Sequence, residues 1–264
     1  QDTSLYSLGG DPGRTDERFA IASEGPTDPD RPELGETIAV TYQNTFTQTF
    51  ENVHRIEGWG GSDDDSVYVD SGVAAGVELH GGAGDDRLTV RGSGVAMLYG
   101  DAGDDALRGG LGNDRLYGGA GNDELYGGEG DDRLEGGADA DVLWGEGGDD
   151  ALLGGAGVDK LHGGAGVDEL RGGGGSDVYT WHVGDGNDRL IEIGGEGLAD
   201  KLLVGGGQAI VGSSGGRSLY READDVVRLS ESATTPGAVT LQRDGQSPAL
   251  AHTAGGTVRA RGGA

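Results

Sequence analysis

The chain has 264 residues, of which 58 are Gly and none is Cys, with a formal net charge of −28, 34% hydrophobic residues and 5% aromatic residues. So acidic a surface excludes nucleic acid as a partner, because phosphates would repel it, and the lack of Cys excludes a disulfide scaffold. Low hydrophobicity with high net charge ordinarily marks a chain that buries too little apolar surface to fold, so a fold here needs a stabilising agent besides its core.

Residues 1–35 hold four of the six prolines (Pro12, Pro26, Pro29, Pro32) and mixed charge, and read as an extended N-terminal segment or linker. The opening QDTSLYSLGG has neither the basic nor the apolar region of a signal peptide, so export would use a removed leader or a route without one. No apolar run approaches the roughly 18 residues of a membrane span. From Glu36 to Ile56 the chain is rich in Thr, Val, Phe and Tyr, which is strand composition.

Residues 36–99 begin a repetitive region in degenerate form, and residues 100–194 carry it regularly. GGSDDDSVYV (Gly60–Val69) is an imperfect copy of a nonapeptide and GGAGDDRLTV (Gly81–Val90) a good one. RGSGVAMLY (Arg91–Tyr99) has Ala96 where the others have Asp. From Gly100 to Thr180 nine copies follow in one register, the clearest being GGLGNDRLY, GGAGNDELY and GGEGDDRLE. WHVGDGNDRLIEI holds a last relative, with Asp188 at the carboxylate position. Residues 195–264 contain the strand-like runs KLLV, DVVRL and AVTLQ among Gly and Ser and read as a β-rich cap and tail, since a repeat stack needs atypical ends. No convincing amphipathic helix is visible.

The nonapeptide reads Gly-Gly-x-Gly-x-Asp-x-Leu-x. Glycines at the first, second and fourth places permit positive φ and let carbonyl oxygens crowd together. The sixth-place Asp turns its carboxylate into that bend. Residues seven to nine form a short strand with the eighth side chain inward: Leu107, Leu116, Leu125, Leu134, Leu143, Leu152, Leu161, Leu170 and Tyr179. Successive repeats lie on opposite sides, so 18 residues make one coil of a flattened parallel solenoid, and each loop stacks on the loop two repeats away at about 4.8 Å. Carboxylates and carbonyls then meet in the gap between loops. An all-oxygen, flexible cage suits Ca²⁺, whereas Mg²⁺ wants tighter geometry and Zn²⁺ prefers N or S ligands.

Residues Gly81 to Glu192 resemble the RTX (repeats-in-toxin, haemolysin-type) calcium-binding nonapeptide-repeat family. The resemblance implies an all-β, right-handed parallel β-roll (β-solenoid) with irregular β-rich caps at both ends, calcium-triggered folding and type I secretion. It assigns as metal ligands the carboxylates of Asp65, Asp86, Asp105, Asp114, Asp123, Asp132, Asp141, Asp150, Asp159, Asp168, Asp177 and Asp188. It adds the second- and fourth-place carbonyls of Gly82, Gly84, Gly103, Gly110, Gly112, Gly119, Gly121, Gly128, Gly130, Gly155, Gly157, Gly164, Gly166, Gly173 and Gly175. One row would run Asp86, Asp105, Asp123, Asp141, Asp159, Asp177 and the other Asp114, Asp132, Asp150, Asp168, Asp188. About nine Ca²⁺ ions are expected, up to two fewer at the ends. Asp139, Ala140 and Glu146 depart from the pattern, and Ala96 should leave the gap facing Asp114 weak or empty.

Other signals are bland. Gly212–Gly216 (GSSGG) matches a nucleophile elbow in letters but lacks the strand-to-helix setting. His54, His80, His162, His182 and His252 show no HExxH spacing, with His162 expected on the surface. Asp11-Pro12 and Asp28-Pro29 read as turns rather than self-cleavage sites. The ninth-place residues Arg108, Tyr126, Trp144 and His162 should form an outward ladder, explained by cross-strand stacking or, alternatively, by self-association or a surface ligand. The expected function is a calcium-binding folding switch and scaffold in an extracellular (secreted or surface) bacterial protein, not an enzyme. Two alternatives stay open: an adhesive or structural surface segment, and an accessory domain of a secreted hydrolase.

Overall fold

The computed structural model describes residues 18–26, 36–42, 46–182, 184–192, 201–204, 208–211, 225–231, 239–243 and 250–252. Among these residues every regular element is a strand. The first three are β1 (Arg18–Pro26), β2 (Glu36–Tyr42) and β3 (Phe46–Val53). The irregular coils follow as β4 (Arg55–Gly61), β5 (Ser66–Val69), β6 (Gly76–Ala83), β7 (Arg87–Val90) and β8 (Ala96–Ala102). The regular repeats give β9 (Ala106–Gly110), β10 (Arg115–Ala120), β11 (Glu124–Glu129), β12 (Arg133–Ala138) and β13 (Val142–Gly147). They continue as β14 (Ala151–Gly157), β15 (Lys160–Ala165), β16 (Glu169–Gly175), β17 (Val178–Trp181) and β18 (Arg189–Glu192). The last are β19 (Lys201–Val204), β20 (Gln208–Val211), β21 (Asp225–Glu231), β22 (Val239–Arg243) and β23 (Leu250–His252).

Each strand pairs in parallel with the strand two places along the chain, so odd-numbered strands from β5 to β19 make one sheet and even-numbered strands from β4 to β18 the other. This is a parallel β-roll of about eight coils. The sequence dictates it through one residue per repeat. Leu125 lies in register with Leu107 on one side and Leu143 on the other; Leu116 does the same with Leu98 and Leu134. Both columns are fully buried, and the two sheets face each other across them. A one-residue slip would turn every Leu to solvent, so the register is strongly specified.

The strands are longer than the three residues expected. β10 and β12 run from the seventh place through the third place of the following repeat. The extension arises because parallel neighbours keep donating and accepting backbone hydrogen bonds through the Gly-Gly step, where no side chain interferes. Tyr179 replaces Leu at the eighth place of β17; it is fully buried and its hydroxyl accepts the amide of Gly172 at 2.7 Å.

Both ends depart from the parallel pattern. β1, inside the segment read as a linker, pairs in parallel with β5 and antiparallel with β2, which pairs antiparallel with β3. At the other end β19 pairs antiparallel with β20, and β21, β22 and β23 extend the second sheet in antiparallel order from β18. Antiparallel additions cover edges that a bare parallel stack would leave open. Gly212–Gly216, Asp11-Pro12 and Asp28-Pro29 lie outside the described residues.

Candidate metal centre

The sixth-place aspartates stand at the turns that precede each strand, and the stacking brings them into two continuous rows. In the first row the amide of Asp86 donates to Oδ1 of Asp105 (2.7 Å), that of Asp105 to Asp123 (2.9 Å), and so on through Asp141, Asp159 and Asp177. Asp65 joins this row, its amide donating to Oδ1 of Asp86 at 2.7 Å. In the second row the same bond links Asp114 to Asp132, Asp150, Asp168 and Asp188. All twelve aspartates are at most 3% exposed, which is abnormal for unpaired carboxylates.

In nine of these carboxylates one oxygen accepts a backbone amide and the other has no partner. Oδ2 of Asp86, Asp105, Asp114, Asp123, Asp132, Asp141, Asp150, Asp159 and Asp168 is buried without a hydrogen-bond partner. Desolvation is the main consequence. It raises the pKa of Asp132 and Asp188 to about 8, of Asp86, Asp141 and Asp150 to about 7, and of Asp105, Asp114, Asp123 and Asp168 to about 6, from an ordinary 3.8. Asp159 shifts upward for the same reason. The backbone donors pull each value down, while neighbouring carboxylates push Asp86, Asp132 and Asp141 further up. Rows of buried, half-satisfied carboxylates are untenable at neutral pH without a counter-charge.

The glycines explain how an ion could enter. A methyl group on Gly118 would lie 2.2 Å from Asp123 Oδ2 and 2.6 Å from the carbonyl oxygen of Gly136. A methyl on Gly119 would meet the Asp101 carbonyl at 2.2 Å, and one on Gly121 the Gly103 carbonyl at 2.1 Å. Each gap is thus lined by carboxylate and carbonyl oxygens that only glycine leaves accessible. Three non-glycine residues keep the same left-handed backbone: Asp101 and Glu146 at second places (φ 76 for both) and Asp139 at a fourth place (φ 75). The departures at Asp139 and Glu146 consequently do not break the coil.

Ala96 occupies a sixth place, its amide donating to Asp114 Oδ1 at 2.7 Å. The first place of that repeat is Arg91 rather than Gly. In the repeats that begin with Gly, a first-place Cβ would collide with Oδ2 of the same repeat's Asp, as at Gly109, 2.4 Å from Asp114 Oδ2. The two departures therefore go together: a first-place Cβ at 91 in the same geometry would press on the second oxygen of an aspartate at 96.

Fifth-place residues, which sequence reasoning passed over, form outer ladders. Oδ1 of Asp85 accepts the amide of Asp104, and Oδ1 of Asp104 accepts that of Asn122; Asn113, Asp131 and Asp149 accept the amides of Asp131, Asp149 and Val167. The recurring Asn-Asp and Asp-Asp doublets were the available signal.

The expected surface ladder is present: Arg108 lies over Tyr126 (5.6 Å), and Tyr126 stacks on Trp144 (4.4 Å). A second one, Trp59–His80–Tyr99–Tyr117, stacks on the other sheet with centroids 5.9, 4.3 and 4.9 Å apart. Sequence reasoning passed it over: only Tyr99 and Tyr117 stand a regular 18 residues apart, because the earlier coils have irregular lengths. His162 is half-buried rather than a plain surface residue, with His182 and Asp185 beside it.

The arrangement fits a hard dication: oxygen donors only, anionic, orphaned in pairs along a stack, with flexible glycine walls. The RTX calcium-binding nonapeptide repeat (four copies) matches residues 78–92, 90–125, 99–134, 126–161 and 152–179. Residues 78–179 are thus calcium-binding RTX repeats. Among curated proteins none matches the chain significantly.

Proposed function

We propose that this chain, whose residues 78–179 are RTX calcium-binding repeats, is a calcium-operated folding switch and scaffold of a secreted or surface-displayed bacterial protein. The observation that carries the reading is the buried pair of aspartate rows, nine of whose carboxylates keep one unsatisfied oxygen. Ca²⁺ between successive loops would be held by the sixth-place carboxylates and by second- and fourth-place carbonyls. In the first row these gaps run from Asp86 to Asp177, and in the second from Asp114 to Asp188, giving about nine ions. The Asp65–Asp86 gap is a further candidate. What the ion supplies is charge neutralisation and cross-linking of coils, and nine of them would take the formal charge from −28 to about −10.

Extracellular calcium modules work at dissociation constants of about 10⁻⁴–10⁻³ M. In calcium-poor cytosol the aspartate rows repel and the chain stays unfolded; outside the cell millimolar calcium closes the roll, and binding free energy becomes folding free energy. EDTA should abolish the β circular-dichroism signal and calcium restore it, with a stoichiometry near nine by metal analysis. A spectrum indifferent to exhaustive chelation would end this reading.

The half-exposed aromatic rows on both sheets favour a second reading, an adhesive or structural segment that self-associates when calcium stiffens it. Flat stacks of rings beside Arg108 are suitable contact anchors. Light scattering that rises with calcium and falls on Trp144→Ala would support it; a calcium-loaded monomer would not.

A further inference from the structure

We propose that His162, His182 and Asp185 form a transition-metal site, selective for Zn²⁺-like ions and separate from the calcium rows. His162 is the ninth residue of its repeat, on β15. The next coil of that side of the roll is longer than the regular ones: Asp168 and Asp188 are 20 residues apart, where regular neighbours are 18 apart. The additional length falls between β17 and β18 and carries His182. The turn there is anchored by backbone bonds: the Asp185 amide donates to the His182 carbonyl (3.1 Å), and the Gly166 amide donates to the Asp185 carbonyl (2.7 Å). These bonds fold the turn back under His162.

Three ligand atoms converge. His162 Nε2 is 3.1 Å from Asp185 Oδ2, His182 Nδ1 is 3.3 Å from His162 Nε2, and His182 Nδ1 is 3.5 Å from Asp185 Oδ2. A tetrahedral zinc ion has bonds of about 2.0–2.1 Å, so adjacent ligands stand about 3.3–3.4 Å apart. The triangle matches one face of that tetrahedron. The amide of His182 donates to Asp185 Oδ2 at 2.5 Å, which holds the carboxylate in place as supporting contacts of metal ligands do.

Hydrogen bonding alone explains the triangle poorly. Two imidazole nitrogens 3.3 Å apart both aim at one carboxylate oxygen, and a single proton on either ring cannot satisfy all three edges. A cation at the centre does. Two nitrogens and one oxygen suit Zn²⁺ and its neighbours in the transition series, not Ca²⁺. The rings meet at 69° rather than stacked, and a nitrogen of each lies within 4.8 Å of the other two ligand atoms. His182 is half-exposed, leaving a path for entry and a fourth position for water or a partner's side chain.

Because the triad joins residues 20 and more apart, it exists only when the last regular coil is closed. Zinc would clamp that coil beside the Asp168–Asp188 gap, and by linkage calcium and zinc should favour each other's binding.

The test uses the full chain saturated with calcium, stripped of transition metals by a zinc-selective chelator and titrated with Zn²⁺. One Zn²⁺ per chain should remain through gel filtration, with the calcium count unchanged. Removing a direct ligand should cost more than the 10–100-fold that loss of a supporting contact costs, so His182→Ala and Asp185→Asn should each lower zinc affinity at least about 100-fold. His182 is on the surface, and circular dichroism in calcium verifies that the variants fold. Co²⁺ should give the intense visible absorption of a tetrahedral ion, absent in His182→Ala. Zinc lost on gel filtration, zinc retained equally by both variants, or a six-coordinate cobalt spectrum would each overturn the site. A chain without calcium in the same metal analysis would instead count against the folding-switch reading.

Discussion

Replacing Asp123 by Asn separates a calcium ligand from an ordinary buried polar residue, because the two roles predict opposite signs. Asn keeps an oxygen in the position of Oδ1, which accepts the amide of Asp105 at 2.9 Å. It removes the charge and the orphaned Oδ2. Asp123 borders two gaps, one toward Asp105 and one toward Asp141. At about 10 mM free Ca²⁺, a site with a dissociation constant of 10⁻⁴–10⁻³ M contributes about 1.4–2.7 kcal/mol of stability. Two disabled sites therefore cost about 3–5 kcal/mol in calcium. In EDTA the same substitution removes a buried, repelled charge and should stabilise whatever residual fold exists. Calorimetric titration should count two fewer ions, and thermal melts followed by circular dichroism should show a lower midpoint in calcium, while in EDTA any remaining β signal should be no weaker than that of the unsubstituted chain. Asp104→Asn is the control: Asp104 is exposed and its Oδ1 accepts the amide of Asn122 at 2.7 Å, so the ion count should stay unchanged. An unchanged count for Asp123→Asn, or equal destabilisation with and without calcium, would refute the reasoning.

Acidification should have opposite effects with and without calcium. The folded pKa values of the row aspartates lie above the ordinary 3.8, up to about 8 at Asp132 and Asp188, so the metal-free fold is relatively most stable below pH 4 and loses that contribution as pH rises through 6 to 8. In EDTA, lowering the pH from 8 to 4 should therefore increase the β signal, whereas in limiting calcium the same change should release the ions; pH-independent spectra in EDTA would contradict this. Neighbouring glycines should respond unequally to alanine. Gly173 has φ +102 and its added methyl would lie 2.2 Å from the Gly155 carbonyl, while at Gly174 the nearest atom is 3.9 Å away, so Gly173→Ala should cost about 2 kcal/mol or more and Gly174→Ala within about 0.5 kcal/mol by calcium-loaded melts. Finally, Arg91→Gly with Ala96→Asp should add one bound ion at the gap facing Asp114, and Ala96→Asp alone should not, as metal analysis would show.

The nonapeptide period by itself determined the roll. One Leu per nine residues, alternating between sheets, leaves only one way to bury a continuous column, and the Asp at fixed distance from it must then stack in two rows. Leu116, Leu125 and Leu134 and the aspartates from Asp86 to Asp188 were legible for that reason: a strict repeat converts sequence spacing into spatial spacing. The strands KLLV, DVVRL and AVTLQ were equally readable from composition: β19 and β21 contain the first two, and β22 covers the third from Val239 on.

What the period could not supply depends on its irregularities. The conflict between Arg91 and an aspartate at 96 is visible only once the first-place Cα is seen against Oδ2 of the same loop. The Trp59–His80–Tyr99–Tyr117 stack spans coils whose lengths differ, so no fixed spacing predicts its members. The meeting of His162 with His182 and Asp185 arises from two residues beyond the regular coil length and from a turn whose backbone bonds redirect it. Repetition determines neighbours along the stack by arithmetic; where the count of residues per coil changes, only the closure of the backbone in three dimensions decides which side chains meet.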